Sequence, residues 1–226
     1  MQAYASLFQK SNNNIMLLSC DDKAKIKFGE PHNPLATLAR NRPGIAPTTS
    51  TISAVDHDVA NKGSLTPSVI LNVAIPENQD DSFYTGQVTV LLKDSVFEAS
   101  NSFRSILEME MTARQNLTWN NRNILIVYTD GGPERMVTYE SVKIPLCVLF
   151  RRNPNLDIVI ALRTAPGQSY VNYVERIMSI LNIGFQNMAI SREEMSMQFE
   201  KVVRSCKGWD ELRDHPEIKG DWEASL

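Results

Sequence analysis

Four carboxylates in this chain stand where an apolar segment stops or where a helical one carries its polar edge. Asp21 and Asp22 close the run "NNNIMLLSCDD". Asp130 follows "NILIVYT", which has the look of a buried strand, and is itself followed by Gly131, Gly132 and Pro133. Glu175 lies in a helical stretch, one turn from Val171 and Met178, at the edge of the apolar face. Carboxylates brought together without a counter-charge repel and raise each other's pKa. A pair of Mg²⁺ ions relieves this, because Mg²⁺ takes a few carboxylate oxygens and keeps its other positions for water and phosphate. Two such ions about 3.5–4 Å apart clamp the attacking and leaving oxygens of an in-line phosphoryl displacement. That chemistry needs neither His nor Cys. His32, His57 and His215 fall in predicted loops or the tail and read as solvated. Cys20, Cys147 and Cys206 are widely spaced, with no CxxC or CxxH pairing; they read as free thiols in a reducing compartment, with no zinc site. For Asp130 a plainer reading stands beside the chemical one: Asp-Gly after a strand is ordinary turn chemistry.

Positioning such acids is the work of the elements around them. The 226 residues, 42% hydrophobic and 22% charged, suffice for one large domain or two small ones. Strands are predicted at 15–20, 68–76, 86–94, 123–128 and 156–166, with an edge-like strand in "KAKIKFGEP", where Lys25 and Lys27 alternate with Ile26 and Phe28. Residues 31–67 carry five prolines and read as a long irregular insertion. Helices are predicted at 99–117, capped by Ser100 or Asn101, at 135–153, with Pro145 as a kink or early stop, and at 170–188, with Gly184 near its end. Early hairpins followed by strand–helix–strand–helix predict a mixed sheet with helices on both faces. This order resembles that of the ribonuclease H-like fold, in which the first and fourth strands are neighbours and the last helix crosses near their ends. The expected division is a core of residues 1–190 and an acidic, partly helical tail of 191–226.

The formal net charge is −3, and residues 191–226 hold 6 Lys+Arg against 9 Asp+Glu, so the tail carries the whole excess. A basic balance, the usual mark of a nucleic-acid-binding domain, is absent. No apolar run approaches the roughly 20 residues of a membrane span, and the N-terminus lacks the basic region and apolar core of a signal peptide, so an intracellular protein is expected, nuclear in a eukaryote.

Three segments carry a resemblance to a family. "YTDGGPE" resembles the segment that holds the second acid of retroviral-type integrases and DDE transposases. "APGQSYVNYVER" is similar to the segment that holds their third acid, with Tyr173 where related segments carry proline. "LLSCDDKAKIKFGEP" resembles the segment of the first acid. The resemblance spans roughly residues 15–185. It implies catalytic acids at Asp21, Asp130 and Glu175, two Mg²⁺ or Mn²⁺ ions, and Asp22 as an alternative first ligand, since adjacent residues of a strand face opposite ways. It further implies that Gly131 and Gly132 let the backbone approach a phosphate, that Asn172 lines the cleft and that Arg176 touches DNA. The activity it implies is metal-dependent cleavage and transfer of DNA strands, in a protein compatible with homo-oligomers and independent of membranes. The alternative is a transposase-derived module that binds DNA or protein without catalysis.

Overall fold

A computed structural model of the chain describes residues 14–36, 63–78, 80–95, 97–115 and 122–206 continuously, and residues 2, 3, 5, 6, 44–46, 48, 53, 54, 211, 212 and 214–216 besides. Most of the 31–67 insertion, including His57, and residues 207–210 and 217–226 of the tail lie outside these. The fold is mixed α/β, with a mixed sheet of parallel and antiparallel strands flanked by helices. Among the described residues no helix is long and apolar enough to cross a membrane. The chain divides into two compact units, residues 1–23, 67–91 and 100–180, and residues 24–66, 92–99 and 181–226.

At the centre of the sheet is β1 (Ile15–Asp22). It pairs antiparallel with β5 (Ser64–Val73) and parallel with β7 (Ile124–Thr129), which pairs parallel with β8 (Ile158–Arg163). The short β2 (Ile26–Lys27) and the long β6 (Gly86–Asp94) both pair with β5. Both faces of β1 and β7 are buried, so these strands read as continuous apolar runs instead of alternating ones. On one face Met16, Leu18 and Cys20 of β1 and Leu125 and Val127 of β7 pack with Ile106, Met109 and Ala113 of helix α1 (Ser102–Gln115) and Leu149 of helix α2 (Glu140–Arg152). On the other face Ser19 and Tyr128 meet Asn172 and Tyr173, the residues that lead into helix α3 (Glu175–Phe185).

Helix α1 starts where its cap dictates: the Asn101 side chain accepts the Arg104 N–H at 2.8 Å. The other two helices start later than periodicity predicts. Residues 133–139 form a 3₁₀ turn and bends before α2 begins at Glu140, because the turn must deliver the buried Arg135 side chain to β1. Pro145 stays inside α2. Ahead of α3, Ser169–Val171 is a separate 3₁₀ turn, so Glu175 is the first helical residue and not one in mid-helix; Val171 is 40% exposed while Val174 and Met178 are buried. Gly184 lies within α3, and the left-handed residue beyond its end is Asn187, at φ 61°.

In the second unit β3 (Leu35–Ala36) lies between β4 (Ser53–Ala54) and β9 (Ala189–Ile190). Val202 and Val203 of helix α4 (Met197–Ser205) pack with Cys206, Leu212, Phe97 and Phe199. Arg192 joins Glu30 at 2.5 Å to Glu200 of α4 at 2.6 Å.

Candidate active site

The parallel register of β1 and β7 sets Cys20 beside Thr129. One residue further, Asp21 and Asp130 leave the ends of neighbouring strands side by side. Alternation puts Asp21 on the face of Ser19 and Asp130 on the face of Tyr128, which is the face that α3 covers. Glu175 enters that face as the first residue of α3, where the helix dipole favours a negative charge.

Asp130 and Glu175 both act on Asp21. Burial raises the Asp21 carboxyl most; the charge of Asp130 raises it further, Arg135 opposes, and Glu175 adds to the rise, so its pKa stands at about 7. Asp130 accepts the Gly132 N–H at 3.0 Å, and its carbonyl accepts the Thr164 hydroxyl at 3.1 Å. Asp130 is therefore a turn residue and a member of the acid group at once. Among the described residues no three His, Cys, Asp or Glu side chains are poised to hold a metal ion as they stand.

Asp22 faces away. Its Oδ1 accepts from Arg135 Nη2 and from Ser68 Oγ, both at 2.7 Å, and its Oδ2 accepts from Ser100 Oγ at 3.0 Å. Both oxygens serve a buried ion pair on the α1 side of the sheet, and Asp21 is the acid on the side of Asp130 and Glu175. Arg135, only 4% exposed, also donates from Nε to Ser105 Oγ at 3.0 Å and lies 4.0 Å from Asp21 Oδ1. Sequence reasoning stopped one residue short of it: Arg135 directly follows "DGGPE". A buried arginine here gives the acid-rich strand end one fixed positive charge.

Asn172 is fully buried and lines no open cleft. Its Oδ1 accepts the Ser19 hydroxyl at 2.5 Å and its Nδ2 donates to the Cys20 carbonyl at 3.2 Å. The side chain latches the approach to α3 onto β1, two peptides before Asp22 and three before Glu175. Tyr173 fills the neighbouring space against Phe83, Tyr84 and Tyr128, with ring centroids 5.9, 5.5 and 5.6 Å away. The exposed Arg176 guanidinium lies over the Tyr84 ring at 3.8 Å. Nothing in the local sequence pattern pairs Phe83 and Tyr84 with Tyr173; the contact is purely tertiary.

The glycines differ from each other. Gly131 has φ +83°, and a Cβ there would meet the Arg163 side chain at 3.1 Å. Gly132 has an ordinary φ of −53°, and a Cβ there would come no closer than 3.6 Å to any neighbour. The turn itself requires Gly131; at Gly132 a Cβ would make only ordinary contacts, with the Asp130 and Glu134 carboxylates. The Cys20 thiol, pushed up to about 12 by burial, is no nucleophile.

No family model matches the chain, and no curated protein matches it.

Proposed function

We propose that this chain is a divalent-metal-dependent polynucleotidyl transferase acting on DNA, of the transposase or integrase type, on a ribonuclease H-like fold. The observation that carries the reading is the acid group: Asp21 and Asp130 at the ends of adjacent parallel strands, with Glu175 opening the helix on the same face and the charges of Asp130 and Glu175 both bearing on Asp21. The sheet order supports it too: β6 and β5 lead to β1, which is followed outward by β7 and β8, the three early strands before the two late parallel ones. The donor set fits Mg²⁺ or Mn²⁺, being carboxylate oxygen with nothing softer, and an acid raised to about 7 by burial first and by the charge of Asp130 next is a place where positive charge is favoured.

In this reading Asp21, Asp130 and Glu175 hold the ions. Bound there, the ions would supply Lewis acidity and an activated hydroxyl for in-line attack on a phosphodiester. The chain's own contribution is placement. Asn172 and Ser19 fix the approach to α3 against β1, and Arg135 neutralises Asp22 so that the adjoining strand end does not repel the site. Gly132 keeps the backbone beside Asp130 free of a side chain, and Arg176 on Tyr84 offers an exposed cation to a DNA backbone. The acidic excess of residues 191–226 favours the second reading, a non-catalytic module derived from such an enzyme.

Two measurements test the proposal. Millimolar Mn²⁺ should raise the melting temperature, because a ligand of the native state alone stabilises it, and Asp130→Asn should remove most of that rise. End-labelled DNA should be nicked or joined in Mn²⁺, and Asp21→Ala, Asp130→Ala and Glu175→Ala should each abolish it, whereas Glu140→Gln, at an exposed residue of α2, should not. Each single loss should be near total because acids sharing ions act as a unit. A melting curve indifferent to Mn²⁺ supports the non-catalytic module; cleavage that survives Asp130→Ala refutes the assignment of the site.

A further inference from the structure

Strand β8 ends the sheet, with no strand on its outer side among the described residues. Its even-numbered residues bond to the β7 side: Ile158 and Thr164 donate to the carbonyls of Asn123 and Thr129 at 3.2 and 2.9 Å. Alternation therefore turns the N–H and C=O of Val159, Ala161 and Arg163 outward. Residues 158–162 read Ile-Val-Ile-Ala-Leu, without the proline, inward charge or bulge that guards most free edges. Beside the strand runs an apolar groove of about 890 Å³, lined by Leu146, Cys147 and Phe150 of α2 and by Ile158, Val159 and Ala161. Two exposed residues of opposite charge bracket the strand. Asp157 and Arg163 each lie three positions from Ile160. Asp157 accepts one hydrogen bond, from Asn123 Nδ2 at 2.7 Å, and Arg163 gives one N–H to the Met136 sulfur at 2.7 Å, so each keeps capacity for a second partner.

We propose that β8 is a self-association surface, on which two copies of the chain pair their β8 strands antiparallel about a two-fold axis at Ile160. Hydrogen-bonded pairs across such a junction must join residues that both face outward. An axis at Ile160 joins Val159 to Ala161 through outward-facing backbone and sets the side chain of Asp157, in the bend just ahead of the strand with its N–H turned to the Asn123 carbonyl at 2.8 Å, opposite Arg163 of the other copy. Each acid then meets the arginine of the other copy, twice over by symmetry. Shifting the axis to Ala161 keeps the backbone pairing but sets Asp157 opposite Ala165, losing both ion pairs. Parallel pairing would bring like ends together. A strand from some other protein would have no reason to match a charge pattern that is its own complement under two-fold rotation. The continued sheet would cover the exposed Ile158 and the edge amides together. This surface does not depend on the chemistry of Asp21.

Sedimentation velocity of the full chain over a concentration series tests it. The wild type should show a reversible dimer. Asp157→Arg and Arg163→Asp should each weaken it by about tenfold or more, since two like-charge contacts form per dimer, and the double reversal should recover wild-type dimerisation. In a Cys147→Ser background, Val159→Cys with Ala161→Cys should oxidise to a disulfide-linked dimer, because directly opposite hydrogen-bonded residues have Cα atoms about 5.5 Å apart. The cysteine pair introduces no charge clash, so it decides the matter if a reversal variant fails to fold. A wild type that stays monomeric throughout, a dimer indifferent to the single reversals, a double reversal without recovery, or a cysteine pair that never cross-links would each overturn the proposal.

Discussion

At the scale of single residues, adjacent aspartates on β1 have opposite fates. Asp22 is spent on Arg135, Ser68 and Ser100. Asp21 is buried toward Asp130 and Glu175 and its pKa rises from 3.8 to about 7. A raised acid pKa means that the folded state holds the proton more tightly than the unfolded one. Without metal, stability should therefore fall as pH rises from about 4 to about 7 and level off above. Asp21→Asn should flatten that decline, and urea unfolding of both proteins across this window measures it. A variant whose pH profile matches the wild type would remove Asp21 from the coupled group. The two glycines after Asp130 give a second prediction. Gly131→Ala should cost about 1–2 kcal/mol, because a side chain at positive φ is strained. Gly132→Ala should change stability by less than about 0.5 kcal/mol, its φ being ordinary, yet should reduce DNA cleavage if a phosphate uses the space beside Asp130. Denaturation and cleavage measured on the same two variants separate the roles.

At the scale of elements, the site depends on how strand ends and helix starts are tied. The Asn172 side chain fastens the approach to α3 onto β1 at Ser19 and Cys20. Asn172→Ala leaves the buried Cys20 carbonyl without that donor, and a loss of about 1–3 kcal/mol is expected from an abandoned buried partner. On the opposite face Asn153, at the end of α2, donates to Glu110 of α1 at 3.3 Å and to the Leu149 carbonyl at 2.6 Å, so it joins the two helices that cover the core. The Arg151-Arg152-Asn153 segment ends α2 as its composition suggests, with Arg152 3.7 Å from Glu110.

At the scale of the whole molecule, each unit has its own polar clamp. In the second, Arg192 holds Glu30 and Glu200, and its hydrogen bonds lower the Glu200 pKa from 4.5 to about 2. A depressed acid pKa contributes stability that is complete above 4.5 and is lost as pH falls toward 2. Arg192→Leu should lower the melting temperature most near neutral pH, and the gap to wild type should close through that acid window. Thermal scans from neutral to acid pH check it; a gap independent of pH would mean that Arg192 acts by packing alone.

The sequence by itself determined the elements and the candidates. Apolar runs bounded by turn residues located β1, β5, β6, β7 and β8, and β1 and β7 are the most continuous of these because both of their faces are buried. The same reading picked Asp21, Asp130 and Glu175 as acids at strand ends or on a helix. It placed Glu175 in mid-helix because Val171, Val174 and Met178 share a helical spacing, and spacing does not register that Asn172 stays outside the helix and bonds with Ser19. Tertiary structure decided the rest. Which of Asp21 and Asp22 faces the acids depends on which face α1 and α3 cover, a fact about packing partners far away in sequence. Arg135 became part of the site only when the turn after Asp130 folded back across β1, bringing together residues 113 positions apart. The Tyr173 cluster likewise formed from rings on three separate segments. Local pattern records what each residue tolerates; only the packed sheet determines which tolerated neighbours it receives.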